Sequence, residues 1–300
     1  MTGVYGLGGS AVWAVEAGGG LLRYDGSAWS RVTGQSGVVS GVWGSDANDV
    51  WAVGDSGSVL RRGADRAWRP QQSPTTNTLV GLWGTGANNI WMVGDKGTIV
   101  RWDGMQLRTV NSPTMNLLYS VFGFSASDVW AVGDKGVILH LGGTSWTSTT
   151  PVNTLPLGGV WGASAGEIWA VGALGTILRY NGISWASVAS PTMQSMYAVW
   201  GSAASDVWAV GDNGAIIHYA NPAVGWVSVP SPTTAHLRGV WGSAANDVWA
   251  AGNTGTLLHW NGAAWSQSPP PTSIPLRSLW GADASRFFLV GAAGCILSRQ

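Results

Sequence analysis

Three observations in the sequence predict an all-β fold of repeated four-stranded antiparallel sheets, a β-propeller. The first is a repeat: an aromatic residue followed by glycine returns about every 39 residues, as from Trp161 to Trp200. The second is that each repeat holds four short segments rich in Val, Ile, Leu and Trp, which strands favour. The third is that these segments are apolar on both faces, so each sheet must lie between two others.

The aromatic-glycine pairs divide the whole chain into eight repeats. The aromatic residues that begin them are Tyr5, Trp43, Trp83, Phe122, Trp161, Trp200, Trp241 and Trp280. Seven repeats hold four strand segments each and the eighth ends after its third. We therefore expect residues 1–300 to form a single eight-bladed propeller domain whose last blade lacks one strand. A seven-bladed ring is the alternative, although it would leave three strands over.

The four strands of a repeat follow one another in a fixed order. Residues 239–242 illustrate the first strand, 206–211 the second and 175–180 the third, and a fourth begins at Trp185. Glycine and aspartate in a "GDxG" segment, as at 54–57, predict a tight hairpin turn between the second and third strands. Asp-Gly or Asn-Gly, as at 181–182, predicts the turn between the third and fourth strands.

A second repeated segment, "SPT", precedes the first strand of the following repeat. Proline suits a connection in which no ladder hydrogen bond is needed from its nitrogen. With four strands per sheet, these connections must lie on the same side as the "GDxG" hairpins. The threonines of the segment are expected to bond to the local backbone, although contact with a ligand is the alternative. They are Thr75, Thr114, Thr192 and Thr233.

The composition argues against several classes of function. Charged residues make up only 10% of the chain and the formal net charge is zero, so no general attraction to nucleic acid or an anionic membrane is expected. The single cysteine, Cys295, allows no disulfide framework or cysteine zinc site within one chain, and we expect it to be a packed structural thiol. No apolar run is long enough to span a bilayer. No cofactor is expected.

Two columns of acidic residues recur at fixed places in the repeat. One precedes the second strand, and the other, Asp55, Asp95, Asp134 and Asp212, lies in the "GDxG" hairpins. Metal coordination or hydrogen bonding to a sugar is one interpretation, and a role in turns and caps is the more economical one. The first column comprises Asp49, Asp128, Glu167, Asp206 and Asp247.

A column of basic residues ends the third strand and includes three of the four histidines. Because each belongs to a different repeat, two imidazoles would rarely reach one zinc ion, and no metal site is predicted. We expect these side chains to pair with the acidic column before the second strand. The basic residues are Arg23, Arg61, Arg101, His140, Arg179, His218 and His259.

Tryptophans that open the fourth strand are the candidate ligand contacts. An indole face suits the C–H face of a sugar, and repeated shallow sites would give avidity. The alternative is that these rings close the hydrophobic layer between neighbouring sheets. The predicted contacts are Trp29, Trp146, Trp185, Trp226 and Trp265, together with the four hairpin aspartates, and Trp68 holds the same position in its repeat.

The run "DVWAVGDKG" followed by "DGxxW" resembles the repeats of the photosystem II stability and assembly factor group, which belongs with the bacterial neuraminidase repeat proteins. Those repeats carry an Asp-box between the third and fourth strands, and residues 23–29, 179–185 and 259–265 lie at that place. Here the leading Ser or Thr is absent and the spacing is shorter by one. The repeat is also similar to that of tectonin lectins. The resemblance implies a propeller, a bacterial source and, through the assembly factors, a scaffold that binds proteins.

These observations favour a non-catalytic binding module. Carbohydrate recognition at repeated sites is the first expectation, a protein-interaction or assembly scaffold is the alternative, and a glycosidase-like enzyme is the second alternative. The first strands carry no acid, and Arg238 and Arg277 are too few for the arginine cluster of a sialidase. Recent amplification or engineering of the repeat, with no specialised site, is a further possibility. An extracellular or periplasmic location is favoured, although no signal peptide is visible.

Overall fold

A computed structural model describes residues 3–6, 12–15, 21–24, 29–32, 39–46, 49–62, 65, 68–268, 275–283, 286–291 and 296–299. Side chains are described at 43–45, 49, 51, 53–61, 65, 69–268 and 275. The chain divides into two compact units, Met1–Pro151 and Val152–Gln300. Each unit is a succession of antiparallel sheets, and the prediction of one single domain stays a prediction.

The described strands of unit 1 form four four-stranded sheets. Sheet 1 contains β1 (Gly3–Gly6), β2 (Val12–Val15), β3 (Leu21–Tyr24) and β4 (Trp29–Val32). Sheet 2 contains β5 (Val39–Asp46), β6 (Asp49–Gly54), β7 (Val59–Arg62) and β8 (Trp68–Pro70). Sheet 3 contains β9 (Leu79–Gly86), β10 (Asn89–Gly94), β11 (Ile99–Trp102) and β12 (Leu107–Val110). Sheet 4 contains β13 (Leu118–Ser125), β14 (Asp128–Gly133), β15 (Ile138–Gly142) and β16 (Trp146–Ser148).

The described strands of unit 2 form three four-stranded sheets and one of three strands. Sheet 5 contains β17 (Leu157–Ser164), β18 (Glu167–Gly172), β19 (Ile177–Tyr180) and β20 (Trp185–Ser187). Sheet 6 contains β21 (Met196–Ala203), β22 (Asp206–Gly211), β23 (Ile216–Asn221) and β24 (Gly225–Ser228). Sheet 7 contains β25 (Leu237–Ala244), β26 (Asp247–Gly252), β27 (Leu257–Trp260) and β28 (Trp265–Gln267). Sheet 8 contains β29 (Leu276–Asp283), β30 (Arg286–Gly291) and β31 (Ile296–Arg299).

Strands in every sheet pair in chain order, so each sheet is a meander. Within a unit, the first strands of successive sheets lie side by side: β9 contacts both β5 and β13, and β25 contacts both β21 and β29. The sheets are therefore stacked around their first strands. The prediction of four strands per repeat, with three in the last, is confirmed for the described residues.

The core of each unit lies between successive sheets and is dominated by tryptophan. The largest fully buried side chains occupy one position, the third residue of the second strand: Trp51, Trp91, Trp130, Trp169, Trp208 and Trp249. Around Trp208, for example, Val248 and Leu258 of the next sheet complete one apolar cluster. Because a buried indole removes on the order of 150–250 Å2 from water, these rings supply much of the stability of the stack.

The hairpin between the second and third strands has a geometry that the sequence does not predict. The first glycine of "GDxG" is extended, with φ of −169° at Gly54, and the left-handed residues are the last two, Ser56 and Gly57. The backbone carbonyl of Asp55 accepts a hydrogen bond from the nitrogen of Ser58 at 3.0 Å, which closes the turn. Gly57 is required because a Cβ there would lie 1.9 Å from the carbonyl oxygen of Thr75.

The turn between the third and fourth strands matches its prediction. In sheet 5, Oδ1 of Asn181 accepts hydrogen bonds from the backbone nitrogens of Ile183 and Ser184, both at 3.0 Å. Gly182 adopts a φ of +90°, which glycine reaches without strain. Asp103 and Asn261 make the same pair of bonds in sheets 3 and 7.

Candidate functional site

A hydrogen-bonded unit recurs where the second strand begins. In sheet 6, Nε2 of His218 lies 2.6 Å from Oδ1 of Asp206, and the Ser202 hydroxyl donates to the same carboxylate. The imidazole stacks on Trp208, with 3.7 Å between ring centroids and an interplanar angle of 11°. One carboxylate therefore holds one base flat against the buried indole.

Six described sheets contain a version of this pair, at distances of 2.6–3.2 Å. The pairs are Asp49 with Arg61, Asn89 with Arg101, Asp128 with His140, Glu167 with Arg179, Asp206 with His218 and Asp247 with His259. Where arginine replaces histidine, its guanidinium lies over the indole, as Arg61 does at 4.8 Å from the Trp51 centroid. The predicted pairing of the two columns is confirmed in sheets 2 and 4 to 7, whereas in sheet 3 Arg101 pairs with Asn89 and the side chain of Arg23 lies outside the described residues.

The electrostatics favour the charged form of two members of these pairs, Asp206 and Arg179. Burial by itself would raise the pKa of Asp206, but hydrogen bonds from His218 and Ser202 bring the pKa below its ordinary value. The hydrogen bond to Glu167, against an opposing effect of burial, raises the pKa of Arg179. The lowered pKa of Asp206 argues against a role for this carboxyl group in proton exchange near neutral pH.

Acid is expected to weaken the fold in part through Asp206. Because its folded pKa lies below that of an unfolded aspartate, about 3.9, Asp206 stabilises the fold above that pH and loses this contribution as the pH falls through the folded pKa. Urea unfolding between about pH 6 and about pH 3 should show a steeper loss of stability for the wild type than for Asp206→Asn, whose amide does not titrate in this range. Parallel curves would contradict the assignment.

The connecting segments between sheets pack on the hairpins. Oγ1 of Thr75 accepts from the backbone nitrogen of Asn77 at 3.1 Å, and Thr114, Thr192 and Thr233 make the equivalent bond. The carbonyl of Thr78 accepts from the nitrogen of Asp95 in the hairpin of the next sheet. The local backbone role that the sequence predicts for these threonines is therefore confirmed.

Two of the hairpin aspartates bind side chains from the first strand of their own sheet. The Tyr119 hydroxyl donates to Asp134 at 2.8 Å, and the Tyr197 hydroxyl donates to Asp212 at 2.7 Å. Burial and the bond to Asp134 raise the pKa of Tyr119 to about 12. Asp55 is exposed and Asp95 is half-buried. A ligand role for the four aspartates stays a prediction.

One hairpin in unit 2 carries a larger cluster, which we call the Arg238 cluster: Gln194, Tyr197, Asp212, Asn213, His236 and Arg238. The Arg238 guanidinium lies 4.1 Å from the centroid of the Tyr197 ring, and Nδ1 of His236 lies 2.7 Å from Oδ1 of Asp212. The amide of Asn213 donates to Gln194 at 2.8 Å. Nε of Arg238 is buried without a hydrogen-bond acceptor among the described residues. The cluster thus places a half-buried guanidinium on the Tyr197 ring beside an exposed hairpin.

The Arg238 cluster was not predicted as a site, although the sequence contains a signal for it. The second residue of the first strand varies from sheet to sheet, as Val80, Tyr119, Gly158, Tyr197 and Arg238 show. The residues around this position repeat closely. A position that departs from the repeat is freed from the demands of the common core, and such positions are where binding residues concentrate.

The predicted tryptophan contacts are mostly buried between sheets. Trp146, Trp226 and Trp265 are 5–7% exposed, and Trp185 is half-buried. This supports the alternative that they close the layer between sheets, and sugar binding at these rings stays a prediction. The side chains of Trp29, Trp68 and Arg277, and the whole of Cys295, lie outside the described residues.

The described residues contain no group of three His, Cys, Asp or Glu side chains that could hold a metal ion. None of the helices in the described part of the chain has the length and apolarity needed to cross a bilayer.

Comparison with known proteins identifies the fold. No family model and no curated protein matches the chain. A structure of YCF48 bound to a D1 peptide is similar with a TM-score of 0.68 and 16% identity, covering 88% of this chain and 91% of that one. The computationally designed Ika8 protein has a TM-score of 0.82 and 15% identity, covering 99% and 95%. The WD40 β-propeller domain of Doa1 has a TM-score of 0.65 and 12% identity, covering 90% and 95%.

These identities are low, so the likeness concerns the fold. Together with the meandering sheets, it shows that the chain is an all-β protein of the β-propeller class. The number of blades in a closed ring, and the resemblance to neuraminidase and tectonin repeats, stay predictions.

Proposed function

We propose that the protein is a non-catalytic scaffold that binds a segment of a partner protein at the Arg238 cluster. The observation that carries the proposal is the guanidinium of Arg238, which lies 4.1 Å from the centroid of the Tyr197 ring while the side chain is only half-buried. A guanidinium that is partly shielded from water forms strong charge-assisted hydrogen bonds with a carboxylate, and a ligand could supply that carboxylate. One of the similar structures, that of YCF48, has a D1 peptide bound to it, which supports a peptide as the source of that carboxylate.

The surface next to the Arg238 cluster suits a peptide better than a small anion. Leu174, in the hairpin of sheet 5, is 55% exposed, and Met193, in the connection from sheet 5 to sheet 6, is 73% exposed. Gly175 and Thr192 lie against each other, which brings these two neighbours together. Gln194 follows Met193 and bonds to Asn213 of the cluster. A partner segment could place an apolar side chain on Leu174 and Met193 and a carboxylate at Arg238.

Carbohydrate recognition and hydrolysis have less support. The indole faces that would stack on a sugar are buried at Trp146, Trp226 and Trp265. The acid of a hydrolase would have to leave an existing pair, since Asp206 already accepts bonds from Ser202 and His218. Both functions therefore serve as alternative outcomes of the experiment that tests the scaffold.

Selection from a random peptide display library with free carboxyl ends tests the proposal. We expect enrichment of peptides that combine a carboxylate with a nearby apolar residue. Arg238→Gln should weaken the selected peptides about 10- to 100-fold, as expected for a charge-assisted hydrogen bond of about 1.5–3 kcal/mol. The matched control is Arg108→Gln, because Arg108 is an exposed arginine in β12 whose carboxylate partner is Asp103.

Three results would overturn the scaffold proposal. The first is peptide binding that Arg238→Gln leaves unchanged. The second is saturable binding on a glycan array with no peptide enriched, which would favour the lectin. The third is turnover of a glycoside substrate that disappears when an acidic residue is replaced.

A further inference from the structure

The fourth-strand tryptophans show how the space between two sheets is normally filled. In sheets 4, 6 and 7 this indole packs edge-on against the second-strand tryptophan of the preceding sheet. The pairs are Trp146 with Trp91 at 5.4 Å and 82°, Trp226 with Trp169 at 5.2 Å and 85°, and Trp265 with Trp208 at 5.4 Å and 81°. An indole is thus the side chain that this position accommodates in three separate places.

Sheet 3 departs from this pattern. Leu107 pairs with Trp102 as Trp146 pairs with Leu141, so Leu107 holds the position of the missing indole. Leu107 is half-buried against the cluster that contains Trp51. The ring of Trp51 keeps one aromatic neighbour from sheet 3, Trp102, at 4.9 Å.

The residue that faces this position from the preceding sheet also differs. Val110 and Val229 each stand two positions before the Ser-Pro of a connecting segment. They belong to the apolar clusters of Trp146 and Trp265, respectively. The corresponding residue opposite Leu107 is Gln71, whose amide nitrogen donates to the carbonyl of Arg69 at 3.1 Å. Between sheets 2 and 3, Gln71 therefore stands where those two clusters have a valine, and the smaller Leu107 stands where they have a tryptophan.

An open cleft of about 450 Å3 lies beside Leu107, between sheets 2 and 3. Its size falls in the range of about 300–1,000 Å3 that is typical of small-molecule sites. One wall is the segment from Gln71 to Pro74, and the other holds Trp102, Met105, Gln106 and Leu107. The cleft thus combines apolar surface with the amide groups of Gln71, Gln72 and Gln106.

We propose that this cleft binds the indole of a tryptophan residue from another polypeptide. That ring would lie against Trp102 and Leu107, on the outer side of the layer that Trp146, Trp226 and Trp265 complete in their own sheets, because Trp51 is already fully covered. The amide oxygen of Gln71 or Gln72 can accept from the indole N–H, while the Gln71 nitrogen stays bonded to the Arg69 carbonyl and the Gln106 oxygen accepts from Arg108. The site uses residues of unit 1 alone and stands independently of the Arg238 cluster in unit 2.

Titration with N-acetyl-tryptophanamide tests the cleft, with calorimetry for stoichiometry and nitrogen-15 NMR of the glutamine side-chain amides for location. We expect one equivalent to bind with a Kd of about 1 mM or tighter. The side-chain amide signals of Gln71, Gln72 and Gln106 should shift. N-acetyl-leucinamide should bind at least about tenfold more weakly, because its smaller side chain buries less surface against Trp102 and has no N–H to donate to the glutamine amides.

Two variants of one residue separate occupancy of the cleft from general effects on folding. Leu107→Trp should close the cleft, weaken the probe at least about tenfold and raise Tm, because it restores the packing of the other sheets. Leu107→Ala is the matched control: it should lower Tm yet keep the probe bound. Undiminished binding by Leu107→Trp, or loss of binding in Leu107→Ala while NMR shows it folded, would overturn the proposal.

A reciprocal variant asks whether a new site can be created. Trp146→Leu should open an equivalent cleft between sheets 3 and 4 and add a second equivalent of bound probe. If Trp146→Leu does not fold, the Leu107 variants still decide the question. Wild-type protein that binds no probe, or that binds N-acetylglucosamine in the cleft instead, would also overturn the assignment.

Discussion

Replacing Trp208 with alanine is expected to lower the free energy of unfolding by about 3–5 kcal/mol, the usual cost of removing a large aromatic side chain from a core. Trp208 has no exposed surface. Its ring contacts His218, Trp260 and Trp265, at centroid distances of 3.7, 4.9 and 5.4 Å. The substitution therefore leaves a cavity between sheets 6 and 7 and removes an aromatic partner from three rings at once.

Urea unfolding followed by circular dichroism measures this effect. The control is Ile183→Ala, because Ile183 is an apolar residue that is 87% exposed in the turn of sheet 5. We expect the control to change stability by no more than about 0.5 kcal/mol. A loss of less than about 1 kcal/mol for Trp208→Ala would contradict the view that these indoles hold neighbouring sheets together.

Replacing Gly214 with alanine is expected to be the second most damaging change, at about 3 kcal/mol or more. Gly214 has a φ of +72°, and a Cβ there would lie 2.0 Å from the carbonyl oxygen of Thr233. The backbone conformation costs an alanine about 1–2 kcal/mol, and the overlap with backbone adds about 1–3 kcal/mol. The hairpin and the connecting segment of sheet 6 would have to move apart.

Gly225 provides the matched control for Gly214. It also has a positive φ, +82°, but a Cβ there would meet nothing within 4 Å. Gly225→Ala should therefore cost only the conformational contribution, about 1–2 kcal/mol. The difference between the two variants in urea unfolding measures the overlap alone. Equal losses would mean that the connecting segment yields to the added methyl group and that its contact with the hairpin is loose.

The repeat made most of the local structure predictable. The second strand begins and ends as expected at Asp206–Gly211, and a fourth strand begins at Trp185. The pairing of Asp206 with His218 was also predictable, since a polar pair with the same separation of 12 residues recurs in sheets 2 to 7. When a segment is repeated many times, comparison of the copies separates the residues that every copy needs from those that vary. The period and the turn residues are therefore easy to recognise.

The sequence predicted where the hairpin between the second and third strands lies, but it did not predict the backbone conformation of that hairpin. The first glycine of each "GDxG" segment is extended, and glycine is needed at Gly94 because a Cβ there would lie 2.0 Å from the carbonyl oxygen of Thr78 in the connecting segment. This contact joins residues of a turn to a segment that arrives from the preceding sheet. Local turn preferences alone contain no information about that approach.

The sequence alone determined the β-propeller class, the four-strand repeat, the buried indole of the second strand in sheets 2 to 7 and the paired polar residues beside it, because each follows from a local period. Only the tertiary structure decided which of the residues that differ from the repeat come into contact with one another. Arg238 lies on Tyr197 of the preceding sheet, and Leu107 leaves a cleft against Gln71, 36 positions earlier in the chain. Such pairs come together through the stacking of whole sheets, and the shape and polarity of a site arise where two sheets meet.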